Sequence, residues 1–291
     1  MRTLGVAMIS LGLVVRAYAQ PPFPANDALK QIYKNYDTEK RTATLVCTDE
    51  KKAKLAKEPG TWWPCERDDA EAAVEIILTS TVSTWANPKN KIEETYVVTS
   101  AVPAHDPAGF GCHSCAPLIG VAVFIWKIDR WTLENANAAV GLYGAWGEPP
   151  SVDLITIGSA KHGILLSSSW GGQGYTNGSK FLLAPVGKTV SEIWRIDDEQ
   201  DNKGAYDPKG VDGPSTLYRS SAALRFDCII GDCSNGYYDI ELISRGMDRE
   251  NAAGIVKWAN WTNVYEFKDG MYKLVRHQSF REIKVITSQK H

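Results

Sequence analysis

The feature that most constrains the fold is a series of short segments rich in β-branched and aromatic residues, which follow one another through most of the chain. Two of the clearest are residues 74–85 and 94–102, and clusters of glycine, proline, asparagine and aspartate separate most of the segments. Such segments, bounded by turn residues, are typical of β-strands. The strands do not alternate with long helical patterns, which argues against a βαβ fold. The sequence therefore predicts a mainly β protein, built as an antiparallel meander.

Further segments have the same composition, and each is expected to be a strand. They are 119–126, 131–134, 153–157, 164–166, 181–184, 190–196, 217–226, 238–243, 263–267 and 272–275. An all-β chain of this kind closes as a sandwich, a barrel or an irregular propeller, and the strand pattern alone leaves these three architectures open.

Two segments, 123–133 and 264–274, align with each other without gaps. Each has aromatic residues before a tight turn and an aromatic-x-Leu sequence after it, and Asp269-Gly270 is typical of a two-residue hairpin turn. Residues 192–197 resemble the first half of the same pattern. A true repeat is one interpretation. Because the copies have no fixed period, we favour independent hairpins with aromatic cross-strand pairs.

One amphipathic helix is predicted near the N-terminus. Asn26 and Asp27 are suitable capping residues at its start. The apolar positions that follow have the helical spacing i, i+3, i+4, i+7, and they are Leu29, Ile32, Tyr33 and Tyr36. We expect this apolar face to pack on the protein's own sheet.

The first 19 residues have the organisation of a secretory signal peptide. Arg2 is followed by the uncharged apolar run 4–15, and Ala17-Tyr18-Ala19 forms an A-x-A cleavage site. The apolar run is shorter than the roughly 20 residues that a membrane-spanning helix needs. The sequence therefore predicts a signal peptide over 1–19 and a single β-rich exported domain over 20–291, either periplasmic or secreted and without a membrane span.

The chain contains six cysteines, an even number that suits an oxidising compartment. Proximity in the sequence favours three local disulfides, although six cysteines allow 15 pairings. The expected pairs are Cys47–Cys65, Cys112–Cys115 and Cys228–Cys233.

The charge balance argues against nucleic acid as a partner. The whole chain has 32 basic and 34 acidic residues, and removal of the leader deletes two arginines, which leaves 30 against 34, or −4. A near-neutral, slightly acidic chain gives no support for nucleic acid binding. The partner is expected to be a ligand or another protein, and no motif specifies a cofactor.

The densest group of reactive side chains is Cys112-His113-Ser114-Cys115, with His105 shortly before it. As a redox dithiol, Cys112 would be the reactive thiolate and His113 its neighbour, with Cys115 as the second thiol, but the helix that activates such a thiol is not predicted here. As a metal site, His105, Cys112, His113 and Cys115 are the available zinc ligands. The third interpretation, which we favour, is a small structural disulfide.

A second notable segment is 167–175, which contains three serines and three glycines between two predicted strands. Trp170, Gln173 and Tyr175 are its candidate ligand-binding residues, and a wide hairpin loop is the alternative interpretation. The acidic segment 197–213 is interpreted as a solvated loop in preference to a calcium site, because its spacing differs from that of an EF-hand.

No hydrolase or nucleotide-binding motif is present in the predicted mature chain. The leading hypothesis is therefore a non-enzymatic binding or interaction module of the cell envelope or extracellular space. The alternative is a thiol-redox or metal-binding protein, with Cys112, His113 and Cys115 as its candidate catalytic residues.

Overall fold

The computed structural model is mostly β-strand, with a single helix in the part of the chain that it describes. The described residues are 22–48, 70–87, 92–105, 110–207, 216–250 and 255–285. The helix α1 is Ala25–Ile32. The strands are β1 Thr42–Val46, β2 Glu71–Asn87, β3 Ile92–Pro103, β4 Leu118–Lys127, β5 Arg130–Leu142, β6 Ser151–Gly158, β7 Lys161–Gly172, β8 Tyr175–Val186, β9 Thr189–Asp201, β10 Thr216–Asp227, β11 Asp239–Glu250, β12 Ile255–Lys268 and β13 Met271–Val285.

The strands form two antiparallel sheets, and in both sheets neighbouring strands follow one another along the chain. One sheet has the order β1-β2-β3-β4-β5, and the other runs from β6 to β13. The predicted antiparallel meander is therefore confirmed. The eight-stranded sheet curls into a half-barrel, so that Trp194 on β9 meets Tyr265 on β12 with ring centroids 5.7 Å apart.

The two sheets pack face to face through a layer of buried aliphatic and aromatic side chains. Burying one such side chain fully contributes about 1.5–3 kcal/mol. The five-stranded sheet contributes Tyr96, Val98, Ile119, Val121, Val123 and Val140, and the eight-stranded sheet contributes Ile164, Leu166, Leu183 and Val190. This apolar layer sets the relative position of the sheets.

The helix α1 packs on the opposite face of the five-stranded sheet, as its apolar stripe predicts. Leu29 and Tyr33 are buried there against side chains of β2 and β4. The predicted capping is wrong, because α1 begins directly after Pro24 and no side chain caps it. Tyr36 lies beyond the end of the helix but still packs against the same cluster. Since β4 is covered on both faces, seven consecutive residues from Leu118 are buried.

The two segments that align in sequence, 123–133 and 264–274, are both hairpins with two-residue turns. Each places a pair of aromatic rings across the strands at the same distance from the turn. The facing rings are Trp126 with Trp131 at 5.5 Å and Phe267 with Tyr272 at 5.4 Å.

A shared β-bulge extends this similarity to a third hairpin. In all three hairpins the pairing shifts by one residue after the fourth pair from the turn. The shifts fall between Val123 and Phe124, between Val264 and Tyr265, and between Leu182 and Leu183 of the β8–β9 hairpin. Residues 192–197 lie on the second strand of that third hairpin, not on a first strand as the sequence pattern suggested.

Three details of the strand prediction are wrong. The strand β1 was not predicted, one predicted loop (167–175) is largely strand, and a second (197–213) begins with five strand residues. The segment 167–175 lies in β7 and β8 apart from a two-residue turn, and 197–201 belongs to β9. In each case a neighbouring strand supplies a hydrogen-bonded ladder that outweighs the weak strand propensity of glycine, serine and aspartate. The predicted signal peptide lies outside the described residues, and so does Cys65. Within the described residues, no helix is long and apolar enough to span a membrane.

A buried hydroxyl pair joins α1 to the five-stranded sheet. Tyr33 Oη and Thr99 Oγ1 share a hydrogen bond of 2.6 Å, and Thr99 also donates to the carbonyl oxygen of Gly120. Burial raises the pKa of Tyr33 to about 12, although the hydrogen bond to Thr99 opposes the shift. Gly120 leaves room for the pair, because a Cβ atom there would lie 2.4 Å from Tyr33 Oη and 2.7 Å from Thr99 Oγ1.

Replacing Gly120 with alanine is expected to lower the free energy of unfolding by about 1–3 kcal/mol, the usual cost of overpacking a core. Gly171→Ala is the matched control, because its nearest neighbours would lie 3.5 and 3.9 Å away. Urea unfolding measures both variants. Equal stabilities for the two variants would contradict the close approach of Tyr33 and Thr99 to Gly120.

Candidate ligand-binding pocket

A cavity of about 320 Å³ lies where the loop before β4 meets strands β7 and β8. It brings together residues from four separate parts of the chain. The lining residues are His113, Ser114, Ala116, Leu142, Tyr143, Gly144, Ala145, Ser168, Trp170, Ser179 and Phe181. The cavity therefore unites the Cys-x-x-Cys segment with Trp170, two candidates that the sequence analysis treated separately.

The loop on one side of the cavity is closed by a disulfide. Cys112 and Cys115 are joined with Cα atoms 5.0 Å apart, and the Cys115 N–H donates to the Cys112 carbonyl at 2.9 Å. The predicted Cys228–Cys233 disulfide is also present. The predicted Cys47–Cys65 pair stays a prediction, because Cys65 lies outside the described residues.

The disulfide bears on the metal hypothesis, because neither sulfur of a disulfide is a thiolate ligand. Of the two histidines proposed as zinc ligands, His113 lines the cavity and His105 does not. In the parts of the chain that the structure describes, no three or more His, Cys, Asp or Glu side chains converge as a metal site would require.

His113 lies beside two indole rings. Its ring centroid is 5.7 Å from that of Trp146 and 6.5 Å from that of Trp170. Trp146 has a left-handed backbone, with φ of 59°, and half of its side chain is exposed. The disulfide loop, the segment after β5 and strand β7 therefore bring three aromatic rings close together, and two of them, His113 and Trp170, line the cavity.

Gly147 allows these two segments to approach. Its N–H donates to the Cys115 carbonyl at 2.8 Å, and its φ is 74°. A Cβ atom at this position would lie only 2.0 Å from the carbonyl oxygen of Phe110. Both the backbone conformation and the close contact therefore require glycine.

The opposite wall is formed by strands and not by the wide loop that the sequence suggested. Trp170 lies on β7, and the chain reverses at Gln173 and Gly174, whose φ values of 53° and 82° are typical of a type I′ turn. Gln173 and Tyr175 are not among the residues that line the cavity. Of the three predicted ligand-binding residues, only Trp170 lies at the cavity.

Two of the lining side chains donate hydrogen bonds to carboxylates that are not part of the lining. Tyr143 Oη donates to Glu192 Oε2 at 2.7 Å, and Glu192 also binds Arg195, with Nε 2.6 Å from Oε1. Ser179 Oγ donates to Asp197 Oδ1 at 2.7 Å, so its oxygen still has acceptor capacity. Within the part of the chain that the structure describes, the lining contains no lysine, arginine, aspartate or glutamate.

The acidic residues of β9 also have partners within the fold. Asp198 lies 3.2 Å from the ammonium of Lys180, and Asp201 lies 3.3 Å from the guanidinium of Arg219. Two carboxylates of the acidic segment 197–213, the alternative calcium site, are therefore paired with basic side chains.

A second polar cluster joins the two sheets away from the cavity lining. His162 Nδ1 lies 3.4 Å from Glu94 Oε2, and both side chains are mostly buried. Tyr96 Oη donates to the His162 carbonyl at 3.2 Å, and burial, reinforced by the Glu94 carboxylate, raises the pKa of this tyrosine. No sequence motif connects these residues, because they meet only through the packing of the sheets.

No protein-family model, curated protein or solved structure matches this chain.

Replacing Gly147 with alanine is expected to lower the free energy of unfolding by more than about 2 kcal/mol. Left-handed strain accounts for roughly 1–2 kcal/mol, and the contact with the Phe110 carbonyl adds to it. Gly231→Ala is the matched control, because Gly231 has φ of 75° but nothing within 4 Å of the added Cβ. Urea unfolding measures the difference. If Gly147→Ala lowers the free energy of unfolding no more than Gly231→Ala does, the tight packing of the disulfide loop is contradicted.

Proposed function

We propose that this protein is an exported binding protein whose cavity beside the Cys112–Cys115 loop takes a small, uncharged, ring-shaped ligand such as a sugar unit. The observation that carries the proposal is the character of the lining, which combines aromatic rings and hydroxyl groups and, among the described residues, includes no lysine, arginine, aspartate or glutamate.

The size of the cavity supports a small ligand. Ligand pockets commonly measure about 300–1,000 Å³, and this cavity of about 320 Å³ lies at the lower end of that range. One ring with its substituents suits such a volume better than an extended chain does.

The polar groups of the lining support a hydroxylated ligand. Ser114, Ser168 and Ser179 each offer a hydroxyl group, and the aromatic rings of Trp170 and Phe181 provide apolar surface. Sugars present hydroxyl groups at their edges and C–H groups on their faces, so they match both kinds of surface. A charged ligand would find no lysine, arginine, aspartate or glutamate side chain among the described lining residues.

Export is part of the proposal. The leader-like sequence over 1–19 supports it, and so do the two disulfides, since disulfides persist in oxidising compartments. Either a periplasmic or a secreted location agrees with these features.

Isothermal titration of the purified protein with glucose, galactose and N-acetylglucosamine tests the proposal. We expect saturable binding of at least one of these sugars. Trp170→Ala is expected to weaken binding at least about tenfold, because aromatic anchors commonly contribute more than 1.4 kcal/mol.

Trp85→Ala is the matched control, because Trp85 is similarly exposed but lies on β2, outside the cavity. This variant is expected to bind like the unmodified protein. If none of the three sugars binds, or if both tryptophan variants lose affinity equally, the proposal is wrong.

A further inference from the structure

We infer that the Cys112–Cys115 disulfide is a reversible redox switch that controls access to the ligand pocket. Reduction by a dithiol releases the loop that forms one wall of the pocket, and reoxidation by a disulfide compound, which takes back two electrons and two protons through the reverse exchange, restores it. The inference rests on the proposed function for its consequence, the change in ligand affinity, but the movement of the loop is measurable without any ligand.

The position of the disulfide makes this coupling direct. The two residues enclosed between the cysteines are His113 and Ser114, and both line the cavity. His113 also extends towards the indole rings of Trp146 and Trp170. Any change in the conformation of this short loop therefore changes the pocket wall itself.

The two ends of the loop are anchored unequally. The Cys115 carbonyl accepts the Gly147 N–H, and the Pro117 carbonyl accepts the Tyr143 N–H at 3.1 Å. Cys115 is also buried, with 5% of its surface exposed. These bonds hold the Cys115 end of the loop whether or not the disulfide is intact.

The Cys112 end depends more on the disulfide. Cys112 is partly exposed and packs against the buried cluster of Val102, Phe110 and Cys115, and its backbone carbonyl is bonded to Cys115 within the same small loop. Its sulfur lies 3.6 Å from Ser114 Oγ, which belongs to the loop as well. When the S–S bond breaks, the segment from Cys112 to Ser114 is therefore the part that is free to move.

The same asymmetry defines the chemistry of the switch. One thiolate of the reductant attacks the more accessible sulfur, Cys112, and forms a mixed disulfide while the Cys115 thiolate leaves and takes up a proton. The second thiol of the reductant then attacks its own sulfur in the mixed disulfide and releases Cys112 as a thiol. Two electrons and two protons pass from the dithiol to the protein, and the reductant ends as a disulfide.

The Cys228–Cys233 disulfide provides an internal comparison. Its loop is also held by the buried Asp239, whose Oδ2 accepts the N–H groups of Ile229 and Ile230 at 2.9 and 2.6 Å. Neither cysteine of this pair lines the cavity. Reduction there is expected to leave both the loop and the pocket in place.

The test is a titration of the whole folded protein with dithiothreitol, in which alkylation and mass spectrometry identify the reduced cysteine pairs at each step. Hydrogen–deuterium exchange of the amides of 112–115 reports loop release, and calorimetry with glucose, galactose and N-acetylglucosamine reports ligand affinity. Cys112→Ser/Cys115→Ser represents the open loop, and Cys228→Ser/Cys233→Ser is the matched control.

We expect reduction of Cys112–Cys115 to raise amide exchange over 112–115 at least tenfold and to weaken sugar binding at least tenfold, with recovery on reoxidation. The Cys112→Ser/Cys115→Ser variant should bind sugar weakly, and its affinity should not change with dithiothreitol. The affinity of the control variant should fall on reduction, as that of the unmodified protein does. The titration of the unmodified protein tests the inference even if the serine variants do not fold.

The inference is overturned if Cys112 and Cys115 are shown to be reduced while amide exchange over 112–115 stays unchanged, or if they resist reduction until the protein unfolds. Absence of sugar binding to the oxidised protein has a different meaning, because it contradicts the proposed function. In that case the exchange measurement still decides whether the disulfide controls the loop.

Discussion

The packing of the two sheets against each other is the interaction on which the rest of the structure depends. Its apolar layer includes Ile119 and Val121 from one sheet and Ile164 and Leu166 from the other. Further along β7, the inward positions change from these aliphatic residues to Ser168 and Trp170, and the cavity lies there. The pocket thus lies where the apolar contact between the sheets ends, and there the disulfide loop forms one of its walls.

The sheet structure was largely predictable because strand composition is a local property. The ends of the strands were not, as β7 and β9 show, since Gly172 and Asp201 are extended only because neighbouring strands pair with them. The helix α1 was predicted from its apolar stripe, but its start at Ala25, directly after Pro24, was not. Local patterns thus identified the elements, whereas pairing between elements determined their lengths.

The site was predictable only in parts. The sequence drew attention to Cys112, His113 and Trp170 because their residue types are chemically conspicuous, but nothing local indicated that β7 lies opposite the disulfide loop. Tyr143 and Phe181 have no motif at all, and their rings meet at 4.7 Å through the packing of the sheets. Binding pockets assembled from distant segments depend on tertiary contacts, which a single sequence does not display.

The central claim is that the Cys112–Cys115 loop lies against β7 and so closes one wall of the pocket. Nuclear Overhauser measurements on the oxidised protein in solution test it most directly, using assigned ring protons of His113, Trp146 and Trp170. The ring centroids, at 5.7 and 6.5 Å, predict cross-peaks from His113 to both indoles. Cross-peaks to neither indole, with the Cys112–Cys115 disulfide intact, would contradict the account.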